Sequence, residues 1–324
     1  MMLLNELKKV LKGVFVVQIT PFNKDGNLDL EGMRANTRWL AERMSGKDFV
    51  FVPMGSTGEF YAMSDDECKA VIKMVVKEVN GRLPVIAGTG RAGTIETIKM
   101  CQYAESVGAD GVMVVLPYYH IPEEEGMYLH YKLVAESVNI GVMIYNNPAT
   151  SGSWIKPALM AKLSKIPNII AVKENSTSIG AYYLMQRAVD SKDAVVLCGL
   201  GEIMFSFEAV YGCPGFISYA ANFAPDLSYS IYEAAAARDF NKLAKLVNSM
   251  APFFSFMAKV TTNHGPDTAV RGSDAEPAMF ISATKAAMDI LGLRGGEVRL
   301  PLTGINEQEK AELASILKAM KIVK

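Results

Sequence analysis

The sequence predicts an α/β protein, specifically a (β/α)8 TIM barrel with a C-terminal helical extension. Eight short apolar segments recur between residues 13 and 221, and each is followed by a loop and a helix-like segment. The apolar segments are nearly continuous rather than alternating, which is typical of strands covered on both faces. A doubly wound sheet also alternates strands with helices, but eight regularly spaced units favour closure into a barrel.

The predicted strands are β-rich runs of a few residues, such as GVMVVLP in the fourth and IIAVKEN in the sixth. Runs of this length, bounded by turn residues, are more typical of strands than of helices. In chain order, the eight strands are predicted at residues 13–20, 48–54, 83–90, 111–117, 141–147, 169–175, 194–199 and 215–221.

The segments between the strands carry helical signals. Ser64 followed by Glu67 three residues later is a capping-box pattern at the start of a helix. Residues 93–108 place apolar side chains at helical spacing and end at a glycine, and residues 158–166 and 203–212 have the same periodicity. These helices complete the strand–helix repeat.

The strand signal fades after about residue 225, and helical periodicity continues to the end of the sequence. We therefore divide the chain into a barrel at 1–224 and, at 225–324, the last barrel helix with a helical extension packed on the barrel. Within the second part, residues 261–276 are polar and rich in Gly, Asp and Thr. This segment is predicted to be a surface insertion, with an interface as one candidate location.

Composition excludes several classes of function. The 324 residues carry a net charge of -1, so there is no basic excess of the kind that nucleic-acid binding usually needs. No apolar run approaches the roughly 18 residues of a membrane span. The N-terminal residues 1–13 lack the features of a signal peptide. The cysteines are widely spaced, and we expect free, buried thiols in a cytoplasmic protein; they are Cys68, Cys101, Cys198 and Cys213.

Metal and nucleotide chemistry also lack sequence support. The three histidines, His120, His130 and His264, have no metal-ligand spacing to one another. The sequence contains neither GxGxxG after a strand nor a GxxxxGK[ST] loop, and no GxSxG nucleophile motif. We therefore expect neither a metal nor a bound cofactor.

The active site of a TIM barrel lies at the carboxyl ends of its strands, and the sixth predicted strand carries a lysine near its end. Alternation along the strand places Ala171, Lys173 and Asn175 on one face. A lysine facing the barrel mouth would lose solvation, which lowers its pKa and leaves an amine able to form a Schiff base with a ketone. The competing interpretation is a structural lysine whose ammonium reaches water.

Other strand ends supply hydroxyl groups. The second ends in GSTGEF, where Gly55 allows close backbone approach and Ser56 and Thr57 form a small cradle for a carboxylate. A plain loop with Glu59 in the first helical turn is the alternative. Tyr145 lies near the end of the fifth strand and is either a proton shuttle or a packing side chain.

The remaining candidates come from three further strand ends. Tyr118 and Tyr119 follow the fourth strand. Candidates for lining the pocket also lie at the ends of the seventh and eighth strands; they are Gly199, Gly201, Glu202, Ile217 and Tyr219.

Taken together, these motifs are far more specific than any one of them. GSTGE, PYY, YNNP and VKE occur in this order after or on the second, fourth, fifth and sixth strands. ITPF at 19–22, GFISYAAN at 215–222 and RLPLT at 299–303 extend the pattern over nearly the whole chain. The sequence resembles the dihydrodipicolinate synthase/N-acetylneuraminate lyase family. The resemblance implies a metal-independent class I lyase on a TIM barrel, a homotetramer built as a dimer of dimers, that makes or consumes pyruvate through a lysine Schiff base.

The resemblance also implies roles for individual residues. Lys173 corresponds to the Schiff-base lysine and Tyr145 to the proton shuttle. Ser56 and Thr57 correspond to the carboxylate cradle. Ser56, Tyr119 and Tyr145 match a hydroxyl relay in which the second tyrosine of PYY is usually lent across a dimer interface. A further match is the position near pyruvate on the eighth strand, Ile217.

The substrate is predicted from departures from the family pattern. Members that make dihydrodipicolinate typically carry an arginine where this chain has Thr150, and threonine cannot hold a carboxylate bidentately. Lyase members normally have an acidic pair, of which this chain matches only Glu202, with Gly201 at the other position. Asn175 offers a hydroxyl-binding amide. We therefore expect aldol cleavage, condensation or dehydration of a 2-keto-3-deoxy sugar acid or another 4-hydroxy-2-oxo acid.

Three other functions remain open at this point. The first is 4-hydroxy-tetrahydrodipicolinate synthase, which condenses pyruvate with aspartate semialdehyde. The second is a protein that binds a keto acid without catalysis. The third is a pyridoxal-phosphate enzyme, for which the sequence offers neither a phosphate cup nor a partner for the pyridine nitrogen.

Overall fold

The computed structural model of the protein describes residues 2–268 and 278–322. Eight parallel strands form one sheet in the order β2-β1-β8-β7-β6-β5-β4-β3. A parallel bridge between Phe51 and Val85 joins the two ends of this order, so the sheet closes on itself. The strands are β1 Gly13–Val17, β2 Phe49–Val52, β3 Ile86–Gly88, β4 Gly111–Val115, β5 Gly141–Asn146, β6 Ile169–Glu174, β7 Val195–Cys198 and β8 Gly215–Ser218.

Helices surround the barrel and continue beyond it. One precedes β1, and at least one lies between each strand and the next. In chain order, the helices are α1 Leu4–Val10, α2 Leu30–Arg43, α3 Asp65–Val79, α4 Thr94–Ser106, α5 Glu124–Glu136, α6 Pro148–Ser151, α7 Pro157–Leu163, α8 Ile179–Ala188, α9 Gly201–Glu208, α10 Pro225–Ala236, α11 Phe240–Ser249, α12 Ala251–His264, α13 Phe280–Ile290 and α14 Glu307–Ala319.

The prediction of an α/β (β/α)8 barrel with C-terminal helices is confirmed. Residues of all eight strands are almost entirely buried, because helices cover the outer face and side chains fill the interior. The capping box at the start of α3 is also present: Ser64 Oγ accepts from Glu67 N–H, and Glu67 Oε2 accepts from Ser64 N–H.

The strands are shorter at their carboxyl ends than the sequence predicts. Predicted strand 48–54 ends at Val52, and predicted strand 215–221 ends at Ser218 before a 3-10 turn at Ala220–Asn222. The apolar residues beyond these ends lie in loops that wall a cavity or pack on the barrel, so they remain buried without strand pairing. The apolar pattern of the sequence indicates which residues are buried. Buried residues continue beyond the last residue of each strand that is hydrogen-bonded to a neighbouring strand.

The predicted insertion at 261–276 begins later in the structure. Residues 261–264 are the last turn of α12, where Thr261 and Thr262 hydroxyls donate to the carbonyls of Met257 and Ala258. These bonds within the helix let a polar sequence remain helical. Residues 265–268 form a loop that reaches the cavity described below, and residues 269–276 lie outside the described part of the chain. In the residues that the structure does describe, every helix is too short or too polar to cross a bilayer.

Candidate active site

A cavity of about 860 Å³ opens at the carboxyl ends of the strands. Most residues that the sequence singles out line this cavity, although they come from six different strand–helix loops or strand ends. They are Ser56, Thr57, Tyr118, Tyr119, Tyr145, Thr150, Lys173, Asn175, Gly199, Gly201, Ile217 and Tyr219. Two predicted site residues, Gly55 and Glu202, are not part of the lining.

Lys173 and Tyr145 face each other at the floor of the cavity. They are register partners on β6 and β5, so their side chains leave adjacent strands at the same level. Lys173 Nζ lies 3.6 Å from the centroid of the Tyr145 ring. Both side chains are buried, with 4% of each residue exposed. The amine therefore points into the barrel mouth and does not reach bulk water.

Burial controls the charge of both groups. Loss of solvation lowers the pKa of Lys173, and the nearby Tyr145 oxygen only partly opposes this effect. Burial by itself would raise the pKa of Tyr145. The positive charge of Lys173 and hydrogen bonding from Asn147 and Ser56 outweigh it, and the pKa of the phenol falls below its usual value. Burial thus favours the uncharged form of Lys173, and the Tyr145 side chain beside it is placed to exchange a proton.

Asn147 orients the Tyr145 hydroxyl, a contact that the sequence reasoning missed. Its Nδ2 donates to Tyr145 Oη at 2.7 Å, while its Oδ1 accepts from the backbone N–H groups of Ala149 and Thr150 at the start of α6. Pro148 occupies the first position of that helix, as is common. An asparagine directly before a proline is a helix-cap signal, and it was the available sequence clue.

Ser56 and Thr57 lie in a 3-10 turn, Ser56–Gly58, that follows β2. The first N–H groups of such a turn have no acceptor within it and are available to an anion. Within the described part of the chain, Ser56 Oγ is buried without a hydrogen-bond partner of good geometry. Gly55 does not line the cavity. It allows close packing on β1, because a Cβ at this position would lie 2.5 Å from Val17 Cγ1.

Asn175 and Gly199 form a tightly fitted pair beside Lys173. Asn175 Nδ2 donates to the Gly199 carbonyl at 3.1 Å, and a Cβ on Gly199 would lie 1.8 Å from Asn175 Oδ1. That Oδ1 is buried and has no hydrogen-bond partner among the described residues. It is therefore an acceptor that a substrate hydroxyl could satisfy.

Tyr119, Thr150 and Ile217 line the cavity and differ in their exposure. Ile217 lies on β8 and is buried, whereas Thr150 lies on α6 and is partly exposed. Tyr119 is 77% exposed and contacts the ring of His120 edge-on.

Glu202 points away from the cavity. Its Oε1 accepts hydrogen bonds from Ser218 and Ser228 at 2.5 and 3.0 Å, behind β8, and burial raises the pKa of its carboxyl. Glu202 is the second residue of α9, so its direction is set by the helix and not by the strand end. Its position gives no support to the predicted role in substrate binding.

Two further buried acidic residues, Glu174 and Glu59, lie next to the site, and neither was predicted from the sequence to be a site residue. Glu174 accepts from Asn146, Trp154 and the Ser176 N–H, and burial raises its pKa to about 7. Glu59, in the loop after β2, forms an ion pair with a lysine of α13, Lys285, at 2.5 Å.

The Glu59–Lys285 pair is almost fully excluded from solvent, with 0% and 2% of the side chains exposed. It ties the Ser56–Thr57 turn to the C-terminal extension. In the described residues, no group of three or more His, Cys, Asp or Glu side chains is arranged to hold a metal ion.

The chain is similar to known proteins over nearly its whole length. Residues 10–320 match the Dihydrodipicolinate synthetase family. The chain is 37% identical over 311 residues to a protein of Neisseria meningitidis serogroup C named 4-hydroxy-tetrahydrodipicolinate synthase, a match that covers 96% of this chain and 99% of the relative. A Methanospirillum hungatei protein of the same name is 34% identical over 314 residues, covering 95% and 99%.

A solved structure supports the same assignment. YagE, a prophage protein of the dihydrodipicolinic acid synthase family from E. coli K12 in complex with pyruvate, superposes with a TM-score of 0.84 at 29% identity. The match covers 97% of this chain and 99% of YagE. The chain belongs to the Dihydrodipicolinate synthetase family.

Proposed function

We propose that the protein is a class I lyase that makes or consumes pyruvate through an imine on Lys173. The observation that carries the proposal is the buried contact of Lys173 Nζ with Tyr145, 3.6 Å from the ring centroid. An amine with a lowered pKa beside a phenol with a lowered pKa is the combination that imine formation and proton transfer require.

The residues perform the reaction in four steps. The neutral amine of Lys173 attacks the pyruvate carbonyl, and loss of water with uptake of one proton gives a cationic iminium; that proton is released again when the iminium is hydrolysed. The iminium withdraws electrons, so the methyl carbon loses a proton to the Tyr145 oxygen and becomes an enamine. The enamine carbon bonds to the carbon of an aldehyde, whose oxygen takes that proton from Tyr145. Water then hydrolyses the iminium, which releases the product and restores the amine.

The turn that carries Ser56 and Thr57 holds the pyruvate carboxylate, with hydroxyl and N–H donors aimed at an anion. In the reverse direction the same groups cleave a 4-hydroxy-2-oxo acid. No metal and no separate cofactor takes part in this scheme, because the lysine itself supplies the electron sink.

Two reactions are candidates for the second substrate. The names of the relatives support the synthase alternative, condensation of pyruvate with aspartate semialdehyde, better than a sugar-acid reaction. The second candidate is an aldol reaction of another 4-hydroxy-2-oxo acid. Two observations favour it: Thr150 stands at the arginine position, and Asn175 Oδ1 is an unused acceptor for a hydroxyl.

The remaining proposals concern the oligomeric state and the cellular location of the protein. We propose a homotetramer, in which Tyr119 of one subunit serves the site of its neighbour, and a cytoplasmic location. The tetramer comes from the family resemblance and from the exposure of Tyr119, and the cytoplasmic location comes from the four free cysteines.

Borohydride trapping tests the imine. The protein is incubated with pyruvate, reduced, and analysed by intact mass and peptide mapping, together with Lys173→Ala and the exposed-lysine control Lys259→Ala. We expect a reduced adduct on Lys173 in the wild type and the control, and none in Lys173→Ala. A folded wild-type protein that binds pyruvate without an adduct would instead be the non-catalytic keto-acid-binding protein.

A further inference from the structure

The cradle segment, residues 56–62, consists of two short 3-10 turns, Ser56–Gly58 and Phe60–Ala62, which are joined at Glu59. Residues of both turns line the cavity. Such short turns have few hydrogen bonds of their own, so their shape depends on contacts with the rest of the protein. Glu59 has a left-handed backbone conformation, with φ of 55°, which is unfavourable for a residue that carries a side chain. The contacts of the Glu59 side chain therefore have to offset this strain.

The carboxylate of Glu59 is held by two residues of the C-terminal extension. Its Oε1 lies 2.5 Å from Lys285 Nζ on α13, and its Oε2 accepts from the Arg299 N–H at 2.8 Å. Lys285 Nζ also donates to the Glu297 carbonyl and lies 4.6 Å from the centroid of the Phe22 ring. A buried ion pair of this kind requires that both charged groups are well placed, so the pair fixes the centre of the cradle segment relative to α13.

The Arg299 side chain fixes the second turn of the cradle segment. Its Nη1 donates to the Ala62 carbonyl at 2.9 Å, and its Nε donates to the Gly26 carbonyl at 2.8 Å. The guanidinium also pairs with both carboxylate oxygens of Glu67 on α3, at 2.8 and 2.5 Å. The C-terminal extension therefore contacts the cradle segment both at its centre and at its end.

Another cation, Arg91 in the loop after β3, lies beside the second turn. Its guanidinium carbon is 5.9 Å from the centroid of the Phe60 ring, and its Nε and Nη1 donate to Asp65 and to the Gly90 carbonyl. Its Nη2 is buried and has no hydrogen-bond partner among the described residues. Arg91 thus brings positive charge close to the cradle segment, and an experiment has to separate the effect of this charge from that of the Glu59–Lys285 pair.

We propose that Glu59 and Lys285 are positioning residues for the reaction, because together they hold the cradle segment in the conformation that binds the pyruvate carboxylate. This inference rests on the function proposed above. Neither residue is part of the described cavity lining, so both act through Ser56 and Thr57. Displacement of a binding group by about 1 Å can lower activity about 100-fold. The C-terminal extension is accordingly part of the catalytic unit.

Borohydride trapping with two ketones, pyruvate and pyruvamide, measures the role of the carboxylate. Pyruvamide offers a ketone but no carboxylate, so both compounds can form the imine on Lys173 and only pyruvate can use the cradle segment as an anion site. The rate of adduct formation is measured by intact mass against the concentration of each ketone. We expect the wild type to prefer pyruvate. Loss of one hydrogen bond to a charged group should lower this preference at least about tenfold.

The double variant Glu59→Gln/Lys285→Met removes the buried ion pair and keeps both side chains near their original size. Exchange of a buried ion pair for uncharged residues is often nearly neutral for stability, whereas removal of one partner is not. We therefore expect a folded protein, verified by its Tm, in which the preference for pyruvate falls at least about tenfold.

Two further proteins serve as controls. Lys259→Met/Glu312→Gln removes an exposed ion pair between α12 and α14 of the same extension, and it should keep the wild-type preference. Arg91→Gln removes the nearby charge and leaves the Glu59–Lys285 pair intact. Its preference for pyruvate should stay within about twofold of the wild type.

The outcomes separate this inference from the proposed function. A preference that falls in Glu59→Gln/Lys285→Met and in neither control supports the inference. The inference is overturned, and the imine chemistry stands, if the wild type traps both ketones equally or if the double variant loses reactivity with both in the same proportion. An equal fall in Arg91→Gln also overturns it, because the charge of Arg91 would then account for the preference. Absence of any trapped imine in the wild type overturns the function and the inference together.

Discussion

Replacement of Asn147 by aspartate tests the role of Tyr145 in proton transfer. Asn147 Nδ2 donates to Tyr145 Oη at 2.7 Å, and both residues are buried. Asn147→Asp keeps the oxygen that caps α6 through Ala149 and Thr150, so the local backbone has the same acceptor. What changes is the contact with Tyr145, where a donor becomes a carboxylate.

The expected magnitude follows from the lost bond. A hydrogen bond to a charged group contributes about 1.5–3 kcal/mol, which corresponds to a rate change of about 10- to 150-fold. Carbon–carbon bond formation should fall by at least the lower figure. In the wild type the pKa of Tyr145 lies below its usual value. A neighbouring carboxylate disfavours the phenolate, so the rising limb of the pH–rate profile should move to higher pH.

The assay separates chemistry from imine formation. Steady-state pyruvate consumption with an aldehyde is measured against pH, and borohydride trapping reports the imine. Asn241→Asp makes the same charge change at an exposed position in the first turn of α11 and should behave as the wild type. If Asn147→Asp stays within about twofold of the wild type and its pH profile does not move, Tyr145 is not the proton carrier.

Three further predictions concern packing and charge. Gly199→Ala should displace the amide of Asn175 and lower activity at least about tenfold, because the new Cβ would overlap its Oδ1. Lys285→Met should strip Glu59 of its buried partner and destabilise the fold by about 3–5 kcal/mol, or about 4–7 °C in Tm. For Glu174, burial raises the folded pKa to about 7, so the folded state retains its proton longer than the unfolded state. Stability should therefore decline as pH rises from about 4.5 to 7, and Glu174→Gln should reduce this decline in urea midpoints measured at pH 5 and 8.

Each of these predictions has a matched control. Gly180→Ala adds a methyl group whose neighbour, Ser178 Oγ, is 3.5 Å away, and full activity is expected. Lys259→Met breaks an exposed ion pair and should shift Tm by little. Glu42→Gln alters an exposed carboxyl and should keep the wild-type pH dependence. Equal effects in a variant and its control would contradict the structural reason given for that variant.

The fold could be predicted because its signals are local. Strand and helix periods, glycine stops and the capping box of Ser64 and Glu67 are properties of a few neighbouring residues. Eight repeats of such a unit leave a barrel as the favoured arrangement. The strand ends could not be placed, because apolar residues beyond them, such as Met54, Ala220 and Ala221, are also buried although they lie outside the strands.

Part of the candidate site could also be predicted from the sequence. Lys173 and Tyr145 stand at the ends of their strands, and parallel strands bring their carboxyl ends to one rim. Their roles rest on the family resemblance and on the trapping experiment. The contact of Asn147 with Tyr145 could not be predicted from the sequence. An asparagine before a proline indicates a helix cap, but it does not show that the amide also donates to a tyrosine hydroxyl.

The sequence by itself determined the order of strands and helices and the positions of Lys173, Tyr145 and the Ser56–Thr57 turn. Only the tertiary structure decided that Glu202 turns toward two serines behind β8 and that Met257, Phe280 and Leu302 wall the outer cavity. The physical reason is that periodicity records whether a side chain is buried, whereas the identity of its neighbours depends on how distant segments pack.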